Sequence, residues 1–460
     1  MRADRPRVEV ASVARTAGSL HARIFAAKGG LTRDRQTELP GGKARIVAGV
    51  RPPSVDTLAR SLAATGLPHP LLVAAAREAI AAGEPESAGA RALAMRRRML
   101  QPVINATGVL LHTNLGRAPL GTSAPPAYSN LELDLATGRR GSRFDGVAQL
   151  AAAACGAEAA IVVNNGAAAV LLVLAALAGD GRAVVVSRGE LVEIGGGFRV
   201  PEVMDQSGAR LVEVGTTNRT RLDDYRVDDA AMVLKVHQSN YRVVGFTEDT
   251  SVAELATLGV PVVVDIGSGL LDAATPWLRD GPPAWLRDEP AARQTLDAGA
   301  ALVTFSGDKL FGGPQAGVIV GDASLVERCR QHPLARALRP GSLVLGALQD
   351  VLLAYLRRDG DAIPFWRMAA LRADALRTRA EALGVGRVVE CASVPGGGSL
   401  PGVEIDSWGV VVDGDLTAEL RAFDPPVIAR VLDGSTVLDL RTVDADDDDV
   451  VRRAVTSCTS

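Results

Sequence analysis

Through the middle of this chain, short apolar runs alternate with longer segments of helical spacing. The runs Ile161–Val163, Ala183–Val186, Arg210–Val214, Met232–Val236, Pro261–Asp265 and Ala301–Phe305 read as strands, most of them buried. Gly166–Ala178, Pro201–Ser207, Ser251–Leu258 and Ala291–Asp297 read as helices between them, and Ala316–Val320 adds a further strand. Strands alternating with helices predict an α/β domain over residues 101–340. Its sheet is expected to be mainly parallel, with ligands at the carboxyl ends of the strands.

The texture differs on either side. In residues 51–100, Ser54 or Asp56 can cap a helix running to Thr65. Further helices are predicted over Leu71–Ala82 and Ser87–Leu100, making a small helical domain. After Pro340, helices are predicted at Leu343–Arg357 and Phe365–Leu383. Short strands follow at Val388–Ala392, Val403–Ile405, Trp408–Val412, Val427–Val431 and Thr436–Arg441, then a helix at Asp447–Thr456. Residues 341–460 therefore read as an α+β domain. Residues 1–50 are rich in Arg, Ala, Gly and Ser with weak periodicity; a basic tail, an RNA-binding arm and an upstream mis-assigned start all fit them.

Composition adds bounds. At 460 residues the chain is too long for one core, and 47% apolar with 22% charged residues describes a globular protein. Four scattered cysteines form no C-x-x-C pair and no metal spacing, which fits a reducing cytosol. No apolar run approaches the ~18–20 residues of a membrane span. Net charge is −3 but uneven, with 17 Lys+Arg against 8 Asp+Glu in residues 1–100. A basic head on an acidic body points to a polyanion such as RNA.

The chemistry centres on Val303-Thr304-Phe305-Ser306-Gly307-Asp308-Lys309-Leu310-Phe311-Gly312-Gly313-Pro314, where a buried strand breaks into a Gly-rich loop that presents a lysine. The chain has only four lysines, so a Lys kept in such a loop is needed as an amine. Arg can neither form a Schiff base nor lose its proton near neutral pH. Lys235 is the competing lysine, but it lies inside a strand. Asp265 follows the apolar run Val262-Val263-Val264 and suits a buried cation such as a pyridinium nitrogen. Asn164-Asn165-Gly166-Ala167 turns a strand into a helix whose first amides suit a phosphate. His237 ends another strand, where it could stack on a cofactor ring or simply cap a loop. Together these parts outline a pyridoxal 5′-phosphate site. Arg117, Arg336 and Arg339 are candidate oxyanion grips.

The blocks Ile104–Leu120, Tyr128–Arg143, Arg188–Val203, Val214–Thr220, Lys235–Phe246 and Thr304–Gly317 resemble bacterial selenocysteine synthases, the L-seryl-tRNA(Sec) selenium transferases. So do Gly397-Gly398-Ser399-Leu400-Pro401-Gly402, Ser407-Trp408-Gly409 and Pro53-Ser54-Val55-Asp56. The resemblance covers about residues 50–445. It implies a fold-type-I pyridoxal-phosphate enzyme that converts seryl-tRNA(Sec) to selenocysteinyl-tRNA(Sec) with selenophosphate, by β-elimination and selenium addition. It implies a cytoplasmic homo-oligomer, a decameric ring of dimers with sites between subunits, and neither a DNA nor a membrane partner. Lys309 would carry the cofactor and Asp265 would face its pyridine nitrogen. Asn164, Asn165, Gly166, Ala167 and Ser306 would lie at its phosphate. Arg117, Arg336 and Arg339 would hold the donor's phosphate, and the N-terminal domain would hold the tRNA. Two departures stand out: Gly166 occupies a position where the family commonly has a third Asn, and residues 1–50 have no family counterpart. A lyase or aldolase for a small or sugar amino acid would lack the N-terminal domain and the arginine set. A non-catalytic RNA-binding protein would not need Lys309.

Overall fold

A computed structural model describes residues 53–121, 128–143, 145–194, 198–239, 241, 243–396 and 399–459. Residues 1–50 and Gly397-Gly398 lie outside the described residues. The chain divides into two compact units, residues 1–103 and 104–460.

In the first unit, α1 (Val55–Ser61), α2 (His69–Ala81) and α3 (Ala88–Arg97) pack around Ala59, Leu72, Ala75, Ala76 and Ala92. Ser54 caps α1, its Oγ accepting the Thr57 amide at 3.2 Å. The helix expected to reach Thr65 ends at Ser61 and tightens into a 3-10 turn at Ala63–Thr65, closed by Gly66 in the left-handed region.

The second unit is built on a seven-stranded sheet. Its elements are α4 (Asp145–Cys155), β1 (Ala159–Val163), α5 (Gly166–Ala178), β2 (Ala183–Ser187), α6 (Val200–Ser207), β3 (Arg210–Val214), β4 (Ala230–Val236), α7 (Val252–Ala256), β5 (Val262–Gly267), α8 (Ala292–Asp297), β6 (Leu302–Ser306) and β7 (Gly317–Gly321). The strand order is β1-β7-β6-β5-β4-β2-β3. Only β7 runs antiparallel, against both β1 and β6; the other adjacent pairs are parallel. Six strands therefore end at the same edge. Successive residues feed opposite faces: Val262, Val264, Val303 and Phe305 enter one core, and Val263, Leu302, Met232 and Leu234 enter the other with α5.

Beyond the sheet lie α9 (Ala323–Gln331), α10 (Pro333–Ala337), α11 (Ser342–Arg357), α12 (Pro364–Ala369) and α13 (Ala373–Leu383). A four-stranded antiparallel sheet of order β8-β9-β11-β10 follows, formed by β8 (Arg387–Ser393), β9 (Ile405–Asp413), β10 (Arg430–Leu432) and β11 (Ser435–Asp439), and the last helix is Asp448–Thr459. Four expectations need correction here. Phe365–Leu383 is two helices, because the buried Arg441 guanidinium donates to the carbonyls of Met368, Ala369 and Leu371 and ends the first. Val403 and Glu404 lie outside any strand, and Ile405 joins Trp408–Val412 in one strand, β9. Val427–Val431 splits: Val427–Ile428 pairs with Ile104–Asn105, and β10 joins the small sheet. The strand expected to reach Arg441 stops at Asp439, whose side chain caps a 3-10 turn by accepting the Arg441 amide. Among the described residues no helix is long and apolar enough to cross a membrane.

Candidate active site

Aromatics are scarce in this chain, yet they cluster behind the Lys309 loop. Phe311, Tyr355, Trp366 and Trp277 pack in mutual contact. Trp366 Nε1 donates to Tyr355 Oη at 2.7 Å, and that hydroxyl donates to the Phe311 carbonyl at 2.8 Å. The Leu310 amide reaches the Ser268 carbonyl, and Gly312 turns back to Lys309 O with φ 71°, a conformation that favours glycine. The lysine thus stands on a rigid turn and is itself 5% exposed.

The electrostatics separate the two candidate lysines. Burial holds the Lys309 ammonium below the usual lysine range; Asp265 pulls it back and the Arg117 charge adds to the lowering. Burial works against the Lys235 charge too, but Glu190 and Asp249 outweigh it and hold its pKa above normal. Its Nζ donates to Glu190 at 3.0 Å and to Asp249 at 2.7 Å. Lys235 is a fixed cation, whereas Lys309 is poised to be a neutral amine.

Asp265 lies half-buried near the end of β5, beside β6, with Thr304 opposite in register. Its Oδ1 accepts the Thr304 hydroxyl at 3.0 Å and the Gly267 amide at 3.2 Å. Burial raises its pKa, and the Lys309 charge draws it back. His237 follows β4 on the other side, and its amide donates to the Asp265 carbonyl at 2.9 Å.

At the end of β1, Asn165 caps α5, its side chain accepting the Ala168 amide at 2.8 Å. The Asn164 amide donates to the Leu338 carbonyl, which ties this turn to the segment bearing Arg336 and Arg339. Gly166 faces Ser306: a Cβ at position 166 would overlap the Ser306 hydroxyl. Ala167 opens the helix behind it.

The three arginines are placed differently. Arg117, with φ 63°, donates to Asp308 at 2.5 Å, immediately before Lys309. Arg339 reaches Glu132 at 3.5 Å, a carboxylate already held by Arg140 and Arg143. Arg336 is exposed on α10. Sequence reasoning passed over Thr304, Asp308 and Glu132. Register opposite Asp265 was the signal for Thr304 and adjacency to Lys309 the signal for Asp308. Nothing local marked Glu132, whose partners lie up to 207 residues away.

A strand-edge amine leaning to neutrality, a carboxylate in need of a cation and a helix start left open by Gly166 suit the amine, pyridine nitrogen and phosphate contacts of pyridoxal phosphate. The profile of the L-seryl-tRNA selenium transferases (SelA) matches residues 103–444. The L-seryl-tRNA(Sec) selenium transferase of Moorella thermoacetica is 47% identical over 381 residues, 75% of this chain and 79% of the relative. That of Clostridium perfringens is 42% identical over 397 residues, 79% of this chain and 84% of the relative. A solved D-glucosaminate-6-phosphate ammonia-lyase shares the fold, with TM-score 0.53, 20% identity, and coverage of 78% of this chain and 97% of that one. The architecture is the fold-type-I arrangement of pyridoxal-phosphate enzymes. The chain belongs to the L-seryl-tRNA selenium transferase family.

Proposed function

We propose that Lys309 is the catalytic lysine of this pyridoxal-phosphate-dependent transferase, which converts L-seryl-tRNA(Sec) to L-selenocysteinyl-tRNA(Sec). The observation that carries the assignment is the contrast between the two lysines: Lys309 is buried with a lowered pKa, and Lys235 is pinned as a cation by two carboxylates. Bound pyridoxal phosphate supplies an electron sink beside the seryl Cα. Lys309 would hold the cofactor between turnovers and, once free, would take the seryl Cα proton on its neutral Nζ. Asp265 keeps a positive charge opposite it and is itself stabilised by that charge. Asn164, Asn165, Gly166 and Ala167 present the α5 turn, and Ser306 a hydroxyl, to the phosphate. His237 would stack on the cofactor ring.

Arg117, Arg336 and Arg339 grip the phosphate of selenophosphate and the phosphate released when selenium is transferred to the seryl Cβ. Asp308 and Glu132 hold two of these arginines until the anion takes over. Residues 51–100 bind the tRNA, residues 101–340 carry the chemistry and 341–460 complete the fold. The enzyme works in the cytoplasm as a homo-oligomer, a decameric ring of dimers.

The test compares absorption spectra of the wild type and Lys309→Ala, with and without borohydride. A band near ~420 nm that borohydride abolishes in the wild type and that the variant lacks is expected. Turnover of seryl-tRNA(Sec) with selenophosphate is expected only in the wild type. A reducible band retained in Lys309→Ala would move the assignment to Lys235.

A further inference from the structure

The turn Arg188–Glu190, between β2 and α6, grips the strand end that carries His237. Glu190 is buried, and both its oxygens are used on that strand end. Oε2 accepts the Val236 amide and Oε1 accepts Lys235 Nζ, each at 3.0 Å. One residue back, the Gly189 carbonyl accepts Gln238 Nε2 at 2.7 Å and Tyr241 Oη at 3.2 Å. Residues on both sides of His237 are therefore tied to one three-residue turn, while the His237 amide is tied to the Asp265 carbonyl.

The turn is anchored in its own right. Ser187 Oγ accepts the Gly189 amide at 3.3 Å and shares a 2.7 Å hydrogen bond with the Thr220 hydroxyl. Lys235 is held from its far side by Asp249. Taking a carboxylate and an ammonium out of water is a poor way to gain stability, since a well-packed apolar pair often does as well. What the pair adds is direction. Hydrogen bonds of fixed geometry set where the strand ends and how it leaves the sheet, which apolar packing leaves looser.

We propose that Glu190 and Lys235 are positioning residues that set the placement of His237 beside Asp265 and, through it, the seat of the pyridoxal phosphate ring. The inference rests on the reading of His237 as a cofactor contact. It also gives Lys235 a role distinct from that of Lys309.

The test uses the full-length protein stripped of cofactor and titrated with pyridoxal phosphate. The variants are Glu190→Gln, Lys235→Met, His237→Ala and the Glu190→Gln/His237→Ala pair. Affinity, the induced circular dichroism of the bound cofactor and the melting temperature are recorded for each. Glu190→Gln and Lys235→Met are each expected to weaken binding about fivefold or more and to alter the dichroism. In the His237→Ala background Glu190→Gln should add less than about twofold, because the two act through one contact. Equal losses with and without His237, or unchanged dichroism in a folded Glu190→Gln, would overturn the proposal. If His237→Ala weakens binding and Glu190→Gln does not, only the positioning role fails. If His237→Ala changes nothing, the cofactor contact fails and the proposal falls with it. Should Glu190→Gln not fold, Gln238→Ala loosens the same grip and carries the same expectation.

Discussion

At the scale of single residues, the site is a set of charges held away from their preferred states. Lys309 reacts only as a neutral amine, so the rate at which stripped protein captures cofactor should rise as pH climbs through its lowered pKa. Arg117 contributes to that lowering and Asp308 opposes it. Arg117→Met removes the like charge and leaves Asp308 unpaired, and both changes raise the Lys309 pKa. The capture profile should then move to higher pH, with a slower rate at pH 7, as followed by stopped-flow absorbance. A profile unmoved by the substitution would show that Arg117 does not act on the amine. Arg117 itself, with φ 63°, stands in a left-handed conformation that a non-glycine residue adopts at a cost, a strain often met at functional sites.

At the scale of elements, two contacts decide how helices meet their surroundings. The first is the start of α5, where Gly166 leaves room for the Ser306 hydroxyl. Gly166→Ala should push that hydroxyl away and weaken cofactor binding about fivefold, the worth of one hydrogen bond. In a Ser306→Ala background the same change should cost almost nothing; equilibrium titration of both backgrounds measures this. The second is Arg441, 1% exposed, whose guanidinium serves carbonyls at the end of α12 and the Asp406 carbonyl beyond it. Arg441→Met strands these acceptors and should cost on the order of 2–4 kcal/mol in denaturant unfolding. Cofactor capture per folded molecule should be unchanged, because no candidate site residue touches Arg441.

At the scale of the whole molecule, every candidate site residue from Arg117 to Arg339 lies within the unit 104–460. A chain lacking residues 1–103 should therefore still capture pyridoxal phosphate and show its reducible band. It should lose turnover of seryl-tRNA(Sec), because the excess of 17 basic over 8 acidic residues in positions 1–100 goes with the deleted part. Loss of cofactor capture in the shortened chain would show that the two units depend on each other for the site itself. Filter binding of tRNA to both chains across a salt series separates the two effects.

The sequence by itself determined the order of strands and helices, because period-2 and period-3.6 patterning and the Gly, Pro and Asn punctuation are local properties of the chain. Gly166–Ala178 was legible to the residue, and so were the strand ends before Asn164 and His237; the strands leading to Asp265 and Lys309 run on to Gly267 and Ser306, one or two residues past the ends read from the pattern. Where a tertiary partner overrode local preference, the pattern misled. Arg441 split a segment that reads as one helix, and the pairing of Ile104–Asn105 with Val427–Ile428 split one that reads as one strand. Only the tertiary structure decided which lysine is free to lose its proton. Position along the chain favours Lys309, on a loop after a strand, over Lys235, inside one, but it does not set the two charges. Glu190, 45 residues from Lys235, and Asp265, 44 residues from Lys309, are brought up by the fold. A pKa follows from distances and burial, which exist only once the strands are side by side.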